Sequence, residues 1–74
     1  MKETVWGMIG CGDVTEKKSG PGLYKANGSR LKGVYNRTEA KAYDWVKRHG
    51  HGQVYATVEE LLTDEEVTAV YIAT

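Results

Sequence analysis

Gly10-Cys11-Gly12-Asp13-Val14-Thr15 follows a short apolar run and opens a segment with helical features. A glycine-rich turn between a strand and a helix can do one piece of chemistry, which is to hold the pyrophosphate of a dinucleotide. Gly10 lets the chain turn tightly, and Gly12 lets the backbone approach the phosphates with no Cβ in the way. The helix start then offers unpaired N–H donors to the anion. Thr15 stands where a third glycine is expected, and its branched side chain needs more room between helix and strand.

The same fingerprint expects an acid at the end of the second strand, about 20 residues on, to hold the adenosine ribose 2′-hydroxyl. That position is Asn36, followed by Arg37 and Thr38. A carboxylate there would repel a 2′-phosphate by up to about 4 kcal/mol at 4 Å and intermediate dielectric. Asparagine removes that repulsion, Arg37 can form a fork of charge-assisted hydrogen bonds, and Thr38 brings a hydroxyl to a helix start. The set selects NADP, with NAD as the other option. The same residues also suit an ordinary loop with Thr38 as helix cap, and the two readings overlap because a cap and an anion site use the same N–H groups.

Positioning these groups requires strands that alternate with helices. Val5-Trp6-Gly7-Met8-Ile9 reads as a strand buried on both faces, and Asp13 to Ser19 as a short helix broken by Gly20-Pro21-Gly22. Leu23 to Ser29 reads as irregular or one loose helical turn. Leu31 to Tyr35 is a second strand, interrupted by Lys32 and Gly33. Thr38 to His49 is the clearest helix: Ala42, Trp45, Val46 and His49 recur at helical spacing, and Gly50 sits where a left-handed stop belongs. Gln53 to Ala56 reads as a short strand. Thr57 and Glu60 have capping-box spacing before Leu61-Leu62, and Val67 to Ala73 is the last strand. The order β-α-β-α-β-α-β predicts an α/β fold, a partial doubly wound (Rossmann) parallel sheet over residues 1–74. The last strand is expected to be buried, yet nothing after it covers the sheet, so the edge calls for further sequence or a second copy of the chain, hence a homo-oligomer.

Composition bounds the partners. Seventy-four residues, 41% of them hydrophobic, make one small unit. A chain of that size hides only about 60% of the surface its unfolded form exposes, so its core is marginal without outside help. Ten basic and ten acidic residues cancel, which supplies no field for nucleic acid or an anionic membrane. The halves differ: Met1 to Arg37 has seven basic and three acidic residues (7 − 3 = +4), and Thr38 to Thr74 has three and seven (3 − 7 = −4). That split suits an anion site in the first half. Cys11, the single cysteine, excludes an internal disulfide and a cysteine metal cage, favours a reducing compartment such as the cytoplasm, and reads as small filling between two glycines. His49 and His51 lack further ligands nearby, so no metal site is expected. Trp6, Trp45, Tyr55 and Tyr71 read as core or interface bulk.

With Lys18-Ser19-Gly20-Pro21, Asp64-Glu65-Glu66-Val67 and Ala69-Val70-Tyr71-Ile72-Ala73-Thr74 added to the glycine turn, the chain from Val5 onward resembles the amino-terminal portion of the Gfo/Idh/MocA family (glucose-fructose oxidoreductase, inositol dehydrogenase and rhizopine catabolism). The resemblance implies a nicotinamide-dependent oxidoreductase acting on sugars or polyols, with a Rossmann domain followed by a substrate domain. The family's catalytic lysine and its downstream histidine or aspartate have no counterpart in these residues, so the chain is expected to be a cofactor-binding fragment with no catalytic residue of its own. Carried over by the resemblance are Gly10, Gly12, Asp13 and Val14 at the pyrophosphate, Asn36, Arg37 and Thr38 at the ribose, and Ala73 and Thr74 beside the dinucleotide. Many members have an acid where Asn36 stands. The competing expectation is a stand-alone, non-catalytic nucleotide-binding or interaction module that dimerises through its last strand.

Overall fold

The computed structural model describes residues 3–12 and 19–73. Its strands are β1 Thr4–Ile9, β2 Ser29–Tyr35, β3 Gln53–Val54 and β4 Ala69–Ile72, and its helices are α1 Ser19–Lys25, α2 Glu39–His49 and α3 Val58–Leu62. The strands form one parallel sheet in the order β3-β2-β1-β4. The chain winds outward from β1 through β2 to β3, then crosses back to place β4 on the other side of β1. This is the parallel α/β architecture that the alternation of elements predicts.

Successive strand residues point to opposite faces, and the sheet is covered accordingly. On one face Met8 and Val34 pack with Leu23 of α1 and with Ala42 and Trp45 of α2. On the other, Gly7 lies under Leu61 of α3 and Gly33 under the Tyr55 ring. Met8, Val34, Trp45 and Leu61 are fully buried, and each contributes about 1.5–3 kcal/mol through that burial. The pairing of β1 with β2 shifts between Trp6 and Gly7, whose partners are Leu31 and Gly33. Lys32 is the extra residue of this bulge. The bulge lets Leu31 and Val34, three positions apart, both reach the same core. Lys32, which interrupts the strand when read in sequence, is what sets its register.

Helix ends follow local chemistry. Thr38 is the extended residue before α2, Glu39 occupies its first turn and Lys47, Arg48 and His49 its last, an arrangement that complements the helix dipole. Gly50 closes it in the left-handed region at φ 72°, its N–H donating to Val46 C=O at 2.8 Å. Before α3, Thr57 Oγ1 accepts the Glu60 N–H at 3.1 Å, while Glu60 Oε2 accepts the Ala56 N–H at 3.2 Å. The capping-box spacing is thereby realised, with the carboxylate reaching one residue further back than usual.

Two expectations are corrected. Gly20-Pro21-Gly22 does not break a helix but lies inside α1; of the two readings of Leu23 to Ser29, irregular or one loose helical turn, the helical one holds for Leu23 to Lys25, which continue α1 and bury Leu23. Pro21 is the third residue of that element, where a backbone N–H has no acceptor within the helix to lose. The helix expected from Asp13 to Ser19 lies, but for Ser19, outside the described residues. The last strand, expected to be buried, is half open: Val70 is 38% and Ile72 65% exposed. Both share the face of their register partners Gly7 and Ile9. There α3 reaches Gly7 through Leu61, and β4 is the edge of the sheet.

Candidate functional site

Strand order reverses at β1, with β2 on one side and β4 on the other. A parallel sheet opens a crevice beyond the carboxyl ends of its strands at such a point. The glycine turn stands there. Gly10 leaves β1 at φ 101°, a conformation that side chains rarely adopt, and its N–H donates to Tyr35 C=O at 2.8 Å. On the opposite side Ala73 N–H donates to Ile9 C=O at 2.8 Å, so the end of β4 borders the same mouth. Gly12 is exposed, and a Cβ built on it would find the Ala73 carbonyl oxygen, at 4.0 Å, as its nearest neighbour among the described residues. A side chain at position 12 would therefore fill part of an open crevice, which is the space a pyrophosphate needs. By that measure the turn fits a dinucleotide.

The end of β2 closes the third side. Asn36 Oδ1 accepts the Cys11 N–H at 3.2 Å, and Asn36 Nδ2 donates to Thr38 C=O at 3.0 Å. Arg37 and Thr38 are exposed, and the Thr38 hydroxyl makes no cap hydrogen bond. Among the described residues Arg37 has no ion pair. A guanidinium and a hydroxyl are thus presented beside a helix start, and no carboxylate stands at position 36. The structure brings together Gly10, Gly12, Asn36, Arg37, Thr38 and Ala73; Asp13, Val14 and Thr74 lie outside the described residues.

Groups whose protonation is shifted lie elsewhere, around the opening of β2 and the turn before β4. Burial, then the bond to Asp64, hold the Tyr55 phenol above its ordinary range. The Tyr55 hydroxyl holds the Asp64 carboxyl low, and Lys32, 2.8 Å away, does the same for Glu66. Glu3, at 3.2 Å, raises Arg30. None of these groups faces the crevice. Among the described residues no three His, Cys, Asp or Glu side chains gather to hold a metal ion, and no helix is long and apolar enough to cross a membrane.

Two features escape a reading of the sequence. One is the bond between Asn36 and the glycine turn; its only signal is that an amide, unlike a carboxylate, both accepts and donates. The other is an aromatic cluster at the far end of α2. There His49 stacks on Trp45 at 3.9 Å, His51 stacks on Tyr24 at 4.0 Å, and the Tyr24 hydroxyl lies 2.9 Å from His49 Nδ1.

A parallel α/β sheet with a glycine turn at its switch point defines a dinucleotide-binding domain. Residues 5–74 match the oxidoreductase family with an NAD-binding Rossmann fold (GFO_IDH_MocA), and the chain belongs to that family. An oxidoreductase of Formosa agariphila is 46% identical over 69 residues, which are 93% of this chain and 22% of that protein. GenD2 of gentamicin A biosynthesis, solved in complex with NAD, is similar at TM-score 0.81 and 26% identity, over 100% of this chain and 21% of that one. A variant of KijD10, a 3-ketoreductase from Actinomadura kijaniata in complex with TDP-benzene and NADP, matches at TM-score 0.80 and 26% identity, over 95% and 21%. The chain spans about a fifth of the length of these relatives. Family and neighbours together support binding of a nicotinamide dinucleotide, NAD or NADP.

Proposed function

We propose that this chain is the cofactor-binding part of an NADP(H)-preferring oxidoreductase that transfers hydride between the nicotinamide and a sugar or polyol, in a reducing compartment such as the cytoplasm. Gly10, Gly12, Asp13 and Val14 hold the pyrophosphate, Asn36, Arg37 and Thr38 meet the adenosine ribose and its 2′-phosphate, and Ala73 and Thr74 flank the dinucleotide. The cofactor supplies the hydride, and the chain supplies binding and orientation. The proton-transfer residues and the substrate domain belong to additional sequence. The observation that carries the NADP preference is Arg37, exposed and without an ion pair among the described residues, next to an amide where an acid would repel phosphate. Calorimetric titration tests it. NADPH should bind at least about tenfold tighter than NADH, and Arg37→Ala should remove that margin while leaving NADH nearly unchanged. Equal or tighter NADH binding, or an Arg37→Ala variant that keeps the margin, sinks the preference.

The exposed Val70 and Ile72 on the edge strand favour a second reading, a non-catalytic nucleotide-binding module that pairs with its own copy through β4. The oligomeric state and its response to substitution at Ile72 separate the two.

A further inference from the structure

We propose that Asn36 is a positioning residue for the pyrophosphate site: its carboxamide sets the shape of the glycine turn from the neighbouring strand. The inference rests on the dinucleotide reading above and deepens it at one residue. An asparagine that merely vacates the place of an acid would need no particular contacts. Instead both ends of its amide are used, Oδ1 by the Cys11 N–H at 3.2 Å and Nδ2 by Thr38 C=O at 3.0 Å.

The location gives these bonds their effect. Pairing of β1 with β2 ends at Ile9 and Tyr35, and the Gly10 N–H adds one more backbone bond, to Tyr35 C=O. Gly10 then turns away at φ 101°, and the next N–H, that of Cys11, donates to a side chain 25 residues on in sequence. The side chain of Asn36 takes over as the acceptor. Because Nδ2 is engaged by a carbonyl, the amide has one orientation; reversing it would set two donors face to face and two acceptors face to face. Thr38 is also the residue that opens α2. One carboxamide therefore joins the pyrophosphate turn, the end of β2 and the helix start at the ribose, so that the two ends of the cofactor site are coupled. An aspartate could accept from Cys11 but would oppose the Thr38 carbonyl.

Two measurements on the whole protein test this. The first is amide hydrogen exchange at Cys11 without ligand. The second is the ratio of dissociation constants for adenosine and adenosine 5′-diphosphate, which reads what the phosphates add. Asn36→Ala should speed Cys11 exchange about tenfold and cut the ratio about 5- to 10-fold, whereas Asn36→Asp should keep Cys11 protected. If Asn36 acts at the ribose alone, adenosine and the diphosphate weaken together; an unchanged ratio, or unchanged Cys11 exchange, overturns the proposal. A wild-type ratio near one instead removes the dinucleotide reading, and this inference with it. Circular dichroism checks the fold, and if the alanine variant unfolds, Asn36→Ser, too short to reach Cys11, decides the same two quantities.

Discussion

The Ala73 N–H donates to the Ile9 carbonyl at 2.8 Å, extending the pairing of β4 with β1 one residue past the strand and setting the Ala73 carbonyl opposite Gly12. The space there belongs to the crevice and not to the core: among the described residues a Cβ on Gly12 meets no atom nearer than 4.0 Å, and the residue is not in the left-handed region. Gly12→Val should therefore fold with its melting temperature nearly unchanged yet bind NADPH and NADH at least about tenfold more weakly, because the side chain occupies the place of the phosphates. Calorimetry and thermal melts distinguish this from a folding defect. Gly10→Val is the contrast, since φ 101° at that residue makes any side chain strained, at about 1–3 kcal/mol of stability.

Much of this fold was legible because its signals are local. Strand–helix alternation, the cap spacing of Thr57 and Glu60, and Gly50 after the α2 stripe all act within a few residues, and each predicts what forms. The glycine turn and Asn36-Arg37-Thr38 were legible for the same reason. What escaped depends on partners distant in sequence. Lys32 reads as an interruption until Trp6 and Gly7 show the bulge, and the last strand reads as buried until the strand order places β4 at the edge. Pro21 reads as a breaker until the helix boundary puts it in the first turn. The amide of Asn36 joins its target across 25 residues, and no spacing rule announces that.

Gly33 and Gly7 are both overlaid by side chains, but the covers differ. A Cβ on Gly7 would approach Leu61 Cδ2 at 2.7 Å, the end of a flexible chain, whereas one on Gly33 would enter the Tyr55 ring, with Cδ2 and Cζ at 2.9 Å. The ring cannot swing away freely, because its hydroxyl is bonded to Asp64 at 2.6 Å. Gly33→Ala should cost about 1–3 kcal/mol and Gly7→Ala less. Adding Tyr55→Leu should recover part of the Gly33→Ala loss in urea denaturation, while the same addition to Gly7→Ala should recover none.

On β4, Ile72 is 65% exposed and Val70 38%, on a face that no described helix covers beyond Gly7. Contiguous apolar surface on an edge strand favours pairing with another chain. Ile72→Thr keeps a β-branched residue and so the strand preference. It should shift stability by less than about 0.5 kcal/mol while lowering self-association in sedimentation velocity. Association that is indifferent to this change would place the contact elsewhere and remove the support for pairing through β4.

Tyr55 and Asp64 give stability a dependence on pH at both ends. The Tyr55 hydroxyl donates to Asp64 Oδ2 at 2.6 Å, and the Glu66 N–H adds a bond to Oδ1 at 2.9 Å. The phenol bond, first, and the backbone bond hold the Asp64 carboxyl below its ordinary value in the fold. Its contribution is present above the unfolded value of about 4 and is lost as pH falls through the lower folded value. Tyr55 is shifted the other way, chiefly by burial and then by Asp64. Its contribution is complete below the unfolded value of about 10 and is lost as pH rises toward the higher folded one. Tyr55→Phe removes the alkaline dependence and weakens the acid one, since Asp64 loses the bond that most lowers it. The gap in melting temperature between wild type and variant should be widest from about pH 5 to about pH 10 and narrow on either side. A gap that stays as wide below about pH 4 and above about pH 10 as between them would mean that the two side chains do not share a proton-bearing bond.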